Sequence, residues 1–166
     1  MSRSEQWAQL LSQLREREAF AQAMGGPEKV ARQHARGRLT ARERIDLLFD
    51  NGTFNEIGAL AGGNHPGGEP PLAGDGVVGG VGRVNGRTVV AMAEDFTVKG
   101  GSIGHANMAK RNRLVRLAQE QLLPLVIILD GAGERANTGG ERYPNTPNDL
   151  QLVCDIKGKV PVVSMV

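Results

Sequence analysis

A glycine-rich segment, Asp130 to Arg135, holds the residues of this 166-residue chain whose types and spacing best suit chemistry. It directly follows the apolar run Leu125 to Leu129. Glycine permits tight turns, so a turn at the end of a buried strand can aim its backbone N–H groups at a ligand. An apolar run of this kind is typical of a parallel sheet, which binds ligands beyond the carboxyl ends of its strands. The pattern therefore predicts a ligand site, although the same glycines would also suit a plain strand-to-helix connection.

A second candidate site is the segment Lys99 to Ser102, which precedes a predicted helix from about His105 to Leu122. From Lys99 to Arg116 the chain has five Lys or Arg residues and no acidic one. A basic, glycine-containing entry to a helix favours phosphate, because free N–H groups and the helix dipole both attract an anion. A solvated basic helix face explains the same composition, and both interpretations stay open.

Residues 61–76 are rich in glycine and proline and are predicted to form a mobile loop. The segment Gly74 to Gly79 spells G-x-G-x-x-G, with acidic residues about twenty positions further on, as in dinucleotide-binding proteins. In those proteins a strand precedes the motif and a helix follows it. Here Asn85-Gly86 between two β-rich runs predicts a hairpin instead. A nicotinamide cofactor is therefore not predicted.

Other catalytic arrangements find little support. The three histidines stand apart from one another and from the single cysteine, Cys154, so no metal site is predicted. Ser102 and Ser164 lack a nearby His and carboxylate pair, which disfavours a serine hydrolase. Cys154 lies in an apolar segment without a basic neighbour and is predicted to be buried and unreactive.

Three helices are predicted at the N-terminus to support these segments. Capping-box patterns begin the first and the third helix (Ser2 with Glu5, Thr40 with Glu43), and breakers end the helices (Gly25–Pro27, Gly37, Asn51–Gly52). The first helix carries an apolar stripe, predicted to pack against its own domain or another subunit: Trp7, Leu10, Leu11 and Leu14. Four arginines on or beside the helices are predicted to form a solvated face: Arg36, Arg38, Arg42 and Arg44.

Composition narrows the class of protein. The length suits one domain with its own core. A net charge of +2 comes from nearly balanced charges, and aromatic residues are few, so nucleic-acid binding is not predicted. The N-terminus lacks the apolar core of a signal peptide, no stretch approaches membrane-spanning length, and a lone cysteine suits a reducing compartment. A cytoplasmic protein is expected.

Three blocks of the sequence resemble the carboxyltransferase (beta) subunit of biotin-dependent acyl-CoA carboxylases, of the propionyl-CoA carboxylase type. They are "QHARGRLTARERIDLLFDNGTFNEIG" from Gln33, "VVAMAEDFTVKGGSIGHANMAK" from Val89 and "LPLVIILDGAGERANTGG" from Leu123. The resemblance implies an α/β crotonase-like fold, a ββα superhelix of which this chain is the N-terminal portion. It divides the chain into an N-terminal helical segment, 1–52, and the start of a crotonase-like carboxyltransferase domain, 53–166, truncated at its C-terminus.

The resemblance also implies roles for the two candidate segments. The family's D-S-G-G-A-R turn falls on Asp130 to Arg135, with Gly131, Ala132 and Glu134 departing from it. Its backbone would stabilise the enolate of an acyl-CoA thioester, since oxyanions need preorganised donors. The implied catalytic donors are the backbone groups of Gly131, Ala132 and Gly133. The implied substrate-binding residues are Thr97, Lys99, Gly100, Gly101, Ser102 and Arg135, with Lys99 as a phosphate contact.

The same resemblance implies that the chain is a component of a carboxyltransferase. That enzyme transfers a carboxyl group from carboxybiotin, carried on a biotin carboxylase or biotin carrier subunit, to the α-carbon of an acyl-CoA. The full-length subunit would form a homo-oligomer. The family's next glycine-rich segment would follow Val166, so the 166-residue chain is expected to be inactive and prone to associate alone. Two alternatives stay open, namely a subunit of a biotin-dependent CoA-ester decarboxylase and a non-catalytic CoA-binding or assembly module.

Overall fold

A computed structural model describes residues 2–62, 71–135 and 149–166. The helices are α1 (Arg3–Gln22), α2 (Pro27–Ala35), α3 (Ala41–Leu48), α4 (His105–Glu120) and α5 (Asp149–Ile156). The strands are β1 (Asn55–Glu56), β2 (Val77–Val84), β3 (Arg87–Glu94), β4 (Leu125–Ile128) and β5 (Val162–Met165). Two short 3-10 turns, Ala73–Gly76 and Lys99–Gly101, precede β2 and α4.

The five strands form one mixed sheet in the order β1-β2-β3-β4-β5. The first three strands are antiparallel, and Val84 pairs with Arg87 across the Asn85-Gly86 turn. β3, β4 and β5 are parallel. The predicted hairpin and the predicted parallel strand at Leu125 are therefore confirmed, and the chain is an α/β protein.

The alternation of side chains along β3 explains why the sheet is covered on both faces. Val90 and Met92 belong to a core cluster that includes Leu114 of α4 and Ile156 of α5. The intervening residues Val89, Ala91 and Ala93 join a second cluster with Ala41, Ile45 and Phe49. Helix α3 thus packs on one face and α4 with α5 on the other, which leaves the carboxyl ends of β3 and β4 between the two layers.

The N-terminal helices begin as predicted. Both capping boxes are present, at Ser2 with Glu5 and at Thr40 with Glu43. The apolar stripe of α1 is exposed to solvent, with Trp7 at 64% of its full accessibility. No helix within the described ranges is long and apolar enough to cross a membrane.

Part of the predicted mobile loop is ordered. Residues 63–70 lie outside the described part, whereas the turn Ala73–Gly76 is buried. Its Asp75 is completely buried and accepts hydrogen bonds from the backbone N–H of Asn107 and from the Arg135 guanidinium. The prediction failed here because these long-range polar contacts replace the apolar burial that the segment lacks.

Two predictions of side-chain environment are wrong. Cys154 is exposed, because α5 directs Leu152 and Ile156 inward, four residues apart, and Cys154 lies on its other side. Arg42 and Arg44 are not solvated but largely covered: Arg42 pairs with Glu56, and Arg44 pairs with Asp130. The acceptors of both pairings are distant in sequence, so the sequence alone does not show these contacts.

Candidate functional site

The two candidate segments meet at one edge of the sheet. Lys99 to Ser102 follows β3 and Asp130 to Gly133 follows β4, and these neighbouring strands are parallel, so their carboxyl ends lie side by side. The backbone N–H of Ala132 donates to the Gly100 carbonyl at 2.9 Å, and the N–H of Ile103 donates to the Gly133 carbonyl at 2.8 Å. The structure therefore joins two segments that the sequence presents 30 residues apart into a single site.

The three predicted backbone donors of the turn are not equivalent. Ala132 has committed its N–H to Gly100, so in this arrangement it is not available to a ligand. Among the residues that the structure describes, neither Gly131 nor Gly133 donates its N–H to an acceptor, and both are exposed. Gly133 has φ +84°, a conformation that strongly favours glycine. Of the three predicted donors, Gly131 and Gly133 therefore keep an N–H group without an acceptor in the described part of the chain, and their role in binding an oxyanion stays a prediction.

Packing restricts position 131 to glycine in this arrangement. A Cβ atom on Gly131 would lie 2.6 Å from a carboxylate oxygen of Glu94 and 2.7 Å from the Gly101 carbonyl oxygen. Both distances are far below a normal van der Waals contact. The loop after β3 and the turn after β4 therefore approach each other at a point where no side chain fits.

The hydroxyl groups of the loop after β3 shape the loop itself. Thr97 is buried; its Oγ1 donates to the Asp95 carboxylate at 2.6 Å and accepts from the backbone N–H of Gly25 at 2.9 Å. Ser102 Oγ donates to the Lys99 carbonyl at 2.7 Å. Their predicted role as substrate ligands stays a prediction, and both hydroxyls already have partners in this arrangement. Lys99 is exposed, as a phosphate ligand must be.

Arg135 connects the turn to the rest of the site. Its guanidinium donates to the carboxylate of Asp75 at 2.8 Å, to Ser102 Oγ at 3.1 Å and to the Ser102 carbonyl at 2.8 Å. Three fixed bonds to a rigid fork hold the guanidinium in one orientation. Its predicted contact with substrate is likewise untested, while its contacts within the protein fix the position of the chain just after the turn.

The carboxylate of Asp130 anchors the start of the turn to the N-terminal helices. It accepts from Gln33 Nε2 at 3.0 Å, from Arg38 at 3.1 Å and from Arg44 at 2.6 Å. Gln33 belongs to α2 and Arg44 to α3, and Arg38 lies between the two helices. The N-terminal helices therefore contribute directly to the geometry of the candidate site.

Asp95, the residue after β3, is buried beneath this region. Burial raises the pKa of its carboxyl group because the charged form loses its hydration, and the hydrogen bonds from the Thr97 hydroxyl and backbone N–H act in the opposite direction. A carboxylate so placed serves the shape of the loop that runs from Asp95 to Ser102.

Two basic residues of α4 are turned inward, so the solvated basic face that the composition also allows for this helix does not hold at its centre. Lys110 donates to the Val77 carbonyl at 2.7 Å and lies 3.5 Å from a Glu56 carboxylate oxygen. Burial lowers the pKa of Lys110 to about 8, and the neighbouring Glu56 opposes this shift. Lys110 is accordingly not available to bind CoA phosphates.

Arg111 forms the second buried pairing on α4. It bonds to Glu94, at the end of β3, at 2.9 Å and to Asp149, at the start of α5, at 2.5 Å. All three side chains are at least 93% buried. Sequence reasoning did not select these residues, although Arg111 shares the helical face of Leu114, Val115 and Ala118, and that spacing is a signal of burial.

Within residues 2–62, 71–135 and 149–166, no group of three or more His, Cys, Asp or Glu side chains could hold a metal ion. The described site contains backbone N–H groups, fixed dipoles and a few charged side chains. An arrangement of this kind suits the stabilisation of a developing oxyanion.

Comparisons with known proteins agree with this geometry. The model of the carboxyl transferase domain family matches residues 32–166. The propionyl-CoA carboxylase beta chain of Roseobacter denitrificans is 37% identical over 162 residues, which are 95% of this chain and 31% of that protein. The methylmalonyl-CoA decarboxylase subunit alpha of Veillonella parvula is 42% identical over 156 residues, 92% of this chain and 31% of its own length.

Solved structures show the same fold. A single-chain, multi-domain long-chain acyl-CoA carboxylase superposes with a TM-score of 0.81 at 33% identity, covering 94% of this chain and 17% of that one. Transcarboxylase 12S, described as a hexamer and solved with methylmalonyl-coenzyme A bound, gives a TM-score of 0.77 at 29% identity, covering 99% of this chain and 32% of that one. The predicted crotonase-like fold is confirmed by these carboxyltransferases. The chain spans about a third of the curated relatives it matches, and it belongs to the carboxyl transferase domain family.

Proposed function

We propose that this chain is the acyl-CoA-binding N-terminal part of a carboxyltransferase that moves a carboxyl group from carboxybiotin to the α-carbon of an acyl-CoA. The observation that carries the proposal is the convergence of two glycine-rich segments at the carboxyl ends of β3 and β4. Within our proposal, residues 1–52 support the site, and residues 53–166 begin the catalytic domain.

The N–H groups of Gly131 and Gly133 are assigned to the thioester oxygen. Loss of the α-proton places negative charge on that oxygen, and donors fixed beforehand stabilise the charge without reorganisation. Removal of one such donor from other enzymes lowers kcat by about 100- to 1,000-fold. Backbone groups of a rigid turn can therefore supply much of the rate enhancement without a catalytic side chain.

Lys99 is assigned to a phosphate of CoA. It is exposed at the mouth of the same loop. Because this cation is solvated, its attraction for phosphate falls as the salt concentration rises. The internal partners of Lys110 and Arg111 remove both residues from the candidate phosphate contacts.

The second substrate is carboxybiotin on a partner subunit or domain, and the complete gene product is proposed to be a homo-oligomer in the cytoplasm. Carboxybiotin would supply the carboxyl group and accept the α-proton on its ureido nitrogen. Among the described residues, no atom lies within 4 Å of a Cβ atom placed on Gly133, which supports the approach of a bulky group to the turn.

A second candidate function is the decarboxylation of a CoA ester, favoured by the 42% identity to the methylmalonyl-CoA decarboxylase subunit. Both reactions pass through the same enolate, so the described residues would serve either. What differs is the direction in which the carboxyl group moves between biotin and the CoA ester.

Incubation of the complete gene product with ¹³C-carboxybiotin and propionyl-CoA, followed by mass spectrometry, tests the proposal. Carboxylation predicts the label on the α-carbon of the CoA ester. A parallel incubation of biotin with a ¹³C-carboxylated CoA ester tests the reverse direction, and label that moves only from that ester to biotin would favour the decarboxylase. If CoA esters bind and no carboxyl group moves in either direction, the proposed function is wrong.

A further inference from the structure

We propose that Glu94 is a positioning residue that holds the Asp130 to Gly133 turn in its oxyanion-binding geometry, with Arg111 and Asp149 holding Glu94 in turn. The inference rests on the proposed function for its effect on catalysis. Its effect on the shape of the turn can be measured without any reaction.

The first step of the argument is the direct contact between Glu94 and the turn. One carboxylate oxygen of Glu94 accepts the backbone N–H of Asp130 at 2.8 Å. The same oxygen would lie 2.6 Å from a Cβ atom on Gly131, so it occupies the space that a side chain at this position would need. Glu94 therefore holds the peptide unit from which the turn begins and packs against the next residue.

The second step is the fixation of Glu94 itself. Its other carboxylate oxygen accepts from Arg111 Nη1 at 2.9 Å, and Arg111 Nε donates to Asp149 at 2.5 Å. The three side chains are 7%, 3% and 2% exposed, in the order Glu94, Arg111 and Asp149. Ion pairing among these buried side chains keeps each of them in one rotamer, because any other rotamer would leave a buried charge unpaired.

The third step is the position of Glu94 between the two segments of the site. It ends β3, from which the loop to Ser102 departs, and it bonds to the first residue of the turn after β4. A shift of the Glu94 carboxylate therefore moves the turn relative to that loop. Displacements near 1 Å in a reactive geometry lower turnover by up to roughly 100-fold.

Arg111 has a matched control on the same helix. Arg113 lies two residues further along α4 and is exposed, so its replacement changes the same charge without touching the chain of buried groups. Among the Glu94 variants, Glu94→Gln keeps an oxygen that can accept from Asp130, Glu94→Asp keeps the charge with a shorter reach, and Glu94→Ala removes both.

The experiment measures kcat and KM of the complete gene product together with amide hydrogen exchange at residues 130–133. We expect Glu94→Ala and Glu94→Asp to lower kcat by about 10- to 100-fold with KM changed less than about threefold. Glu94→Gln should recover most of the loss, and Arg111→Met should resemble Glu94→Asp while Arg113→Met remains as the wild type. The Asp130 amide should exchange faster in Glu94→Ala, while the amides of β4 keep their protection.

Several outcomes would overturn the proposal. They are a wild-type kcat in Glu94→Asp, equal kcat losses in Arg111→Met and Arg113→Met, or exchange that accelerates across the whole sheet without a larger change at residues 130–133. If Glu94→Ala does not fold, Glu94→Asp and Glu94→Gln carry the same test. A wild-type protein without carboxyl transfer would contradict the proposed function, whereas the exchange measurements would still decide the positioning role.

Discussion

Replacement of Gly131 by alanine tests the close approach of the two glycine-rich segments. The new Cβ atom would lie 2.6 Å from a Glu94 carboxylate oxygen and 2.7 Å from the Gly101 carbonyl oxygen. Gly131 is not among the residues with positive φ, so the backbone conformation itself does not penalise alanine. The expected destabilisation therefore comes from steric overlap alone.

The size of the destabilisation follows from the groups that the new Cβ atom displaces. Overpacking of this kind costs about 1 to 3 kcal/mol, and loss of the Glu94 to Asp130 hydrogen bond adds about 1 kcal/mol. Alanine has less conformational freedom than glycine in the unfolded chain, which offsets roughly 0.5 kcal/mol of this destabilisation. We expect a net loss of about 2 to 3 kcal/mol in the free energy of unfolding, or about 1 M in the urea midpoint.

The assay is reversible urea unfolding followed by far-UV circular dichroism, with Gly133→Ala and Gly158→Ala as controls. Both control glycines have positive φ, +84° and +81°. No atom of the described residues lies within 4 Å of the added Cβ, so we expect each substitution to cost backbone strain of about 1 to 2 kcal/mol. The reasoning fails if Gly131→Ala unfolds at the wild-type midpoint, or if it is less destabilising than both controls.

Two further predictions concern lysines. Burial lowers the pKa of Lys110 to about 8 from an ordinary 10.5, so the unfolded chain binds more protons than the folded chain between these pH values, and the free energy of unfolding should rise with pH across this window. Urea unfolding of Lys110→Met should lack that rise, and an identical dependence of the free energy of unfolding on pH in both proteins would disprove the prediction. Lys99→Ala should weaken CoA binding about three- to tenfold at low salt and much less at high salt, as measured by calorimetry; an affinity unaffected by the substitution would remove Lys99 from the site.

Local signals in the sequence predict most of the fold. The capping pairs at Ser2 and Thr40 are satisfied within four residues, and Asn85-Gly86 sets the hairpin because its left-handed turn fits the twist of the strands. The apolar run at Leu125 becomes a strand covered on both faces. These features depend on neighbours in sequence, which a single chain displays directly.

The features that sequence reasoning missed depend on partners distant along the chain. Arg44 looks solvated until Asp130 is placed beside it. Arg111 has the spacing of the buried face of α4, but its partners Glu94 and Asp149 are visible only in the structure. Asp75 lies in a segment too poor in apolar residues to be predicted as ordered, yet Asn107 and Arg135 hold it in place. Long-range ion pairs carry no periodicity, which is why composition alone assigned them to the surface.

The sequence marks the two segments of the candidate site, but it does not show the contacts between them. The glycines after Leu129 and those after Lys99 marked both segments. The side-by-side placement of β3 and β4 is needed to see how these segments interact. It brings the Ala132 N–H to the Gly100 carbonyl and the Arg135 guanidinium to Asp75.

Steady-state turnover of Gly133→Val in the complete gene product tests the central claim most directly. Valine at φ +84° distorts the turn and displaces its N–H group, while Gly158→Val places the same strain at φ +81° in the turn between α5 and β5. Our account predicts that Gly133→Val lowers kcat by about 100-fold or more, with CoA affinity changed less than about threefold and Gly158→Val near the wild type. Wild-type turnover in Gly133→Val would contradict the claim that this turn holds the thioester oxygen.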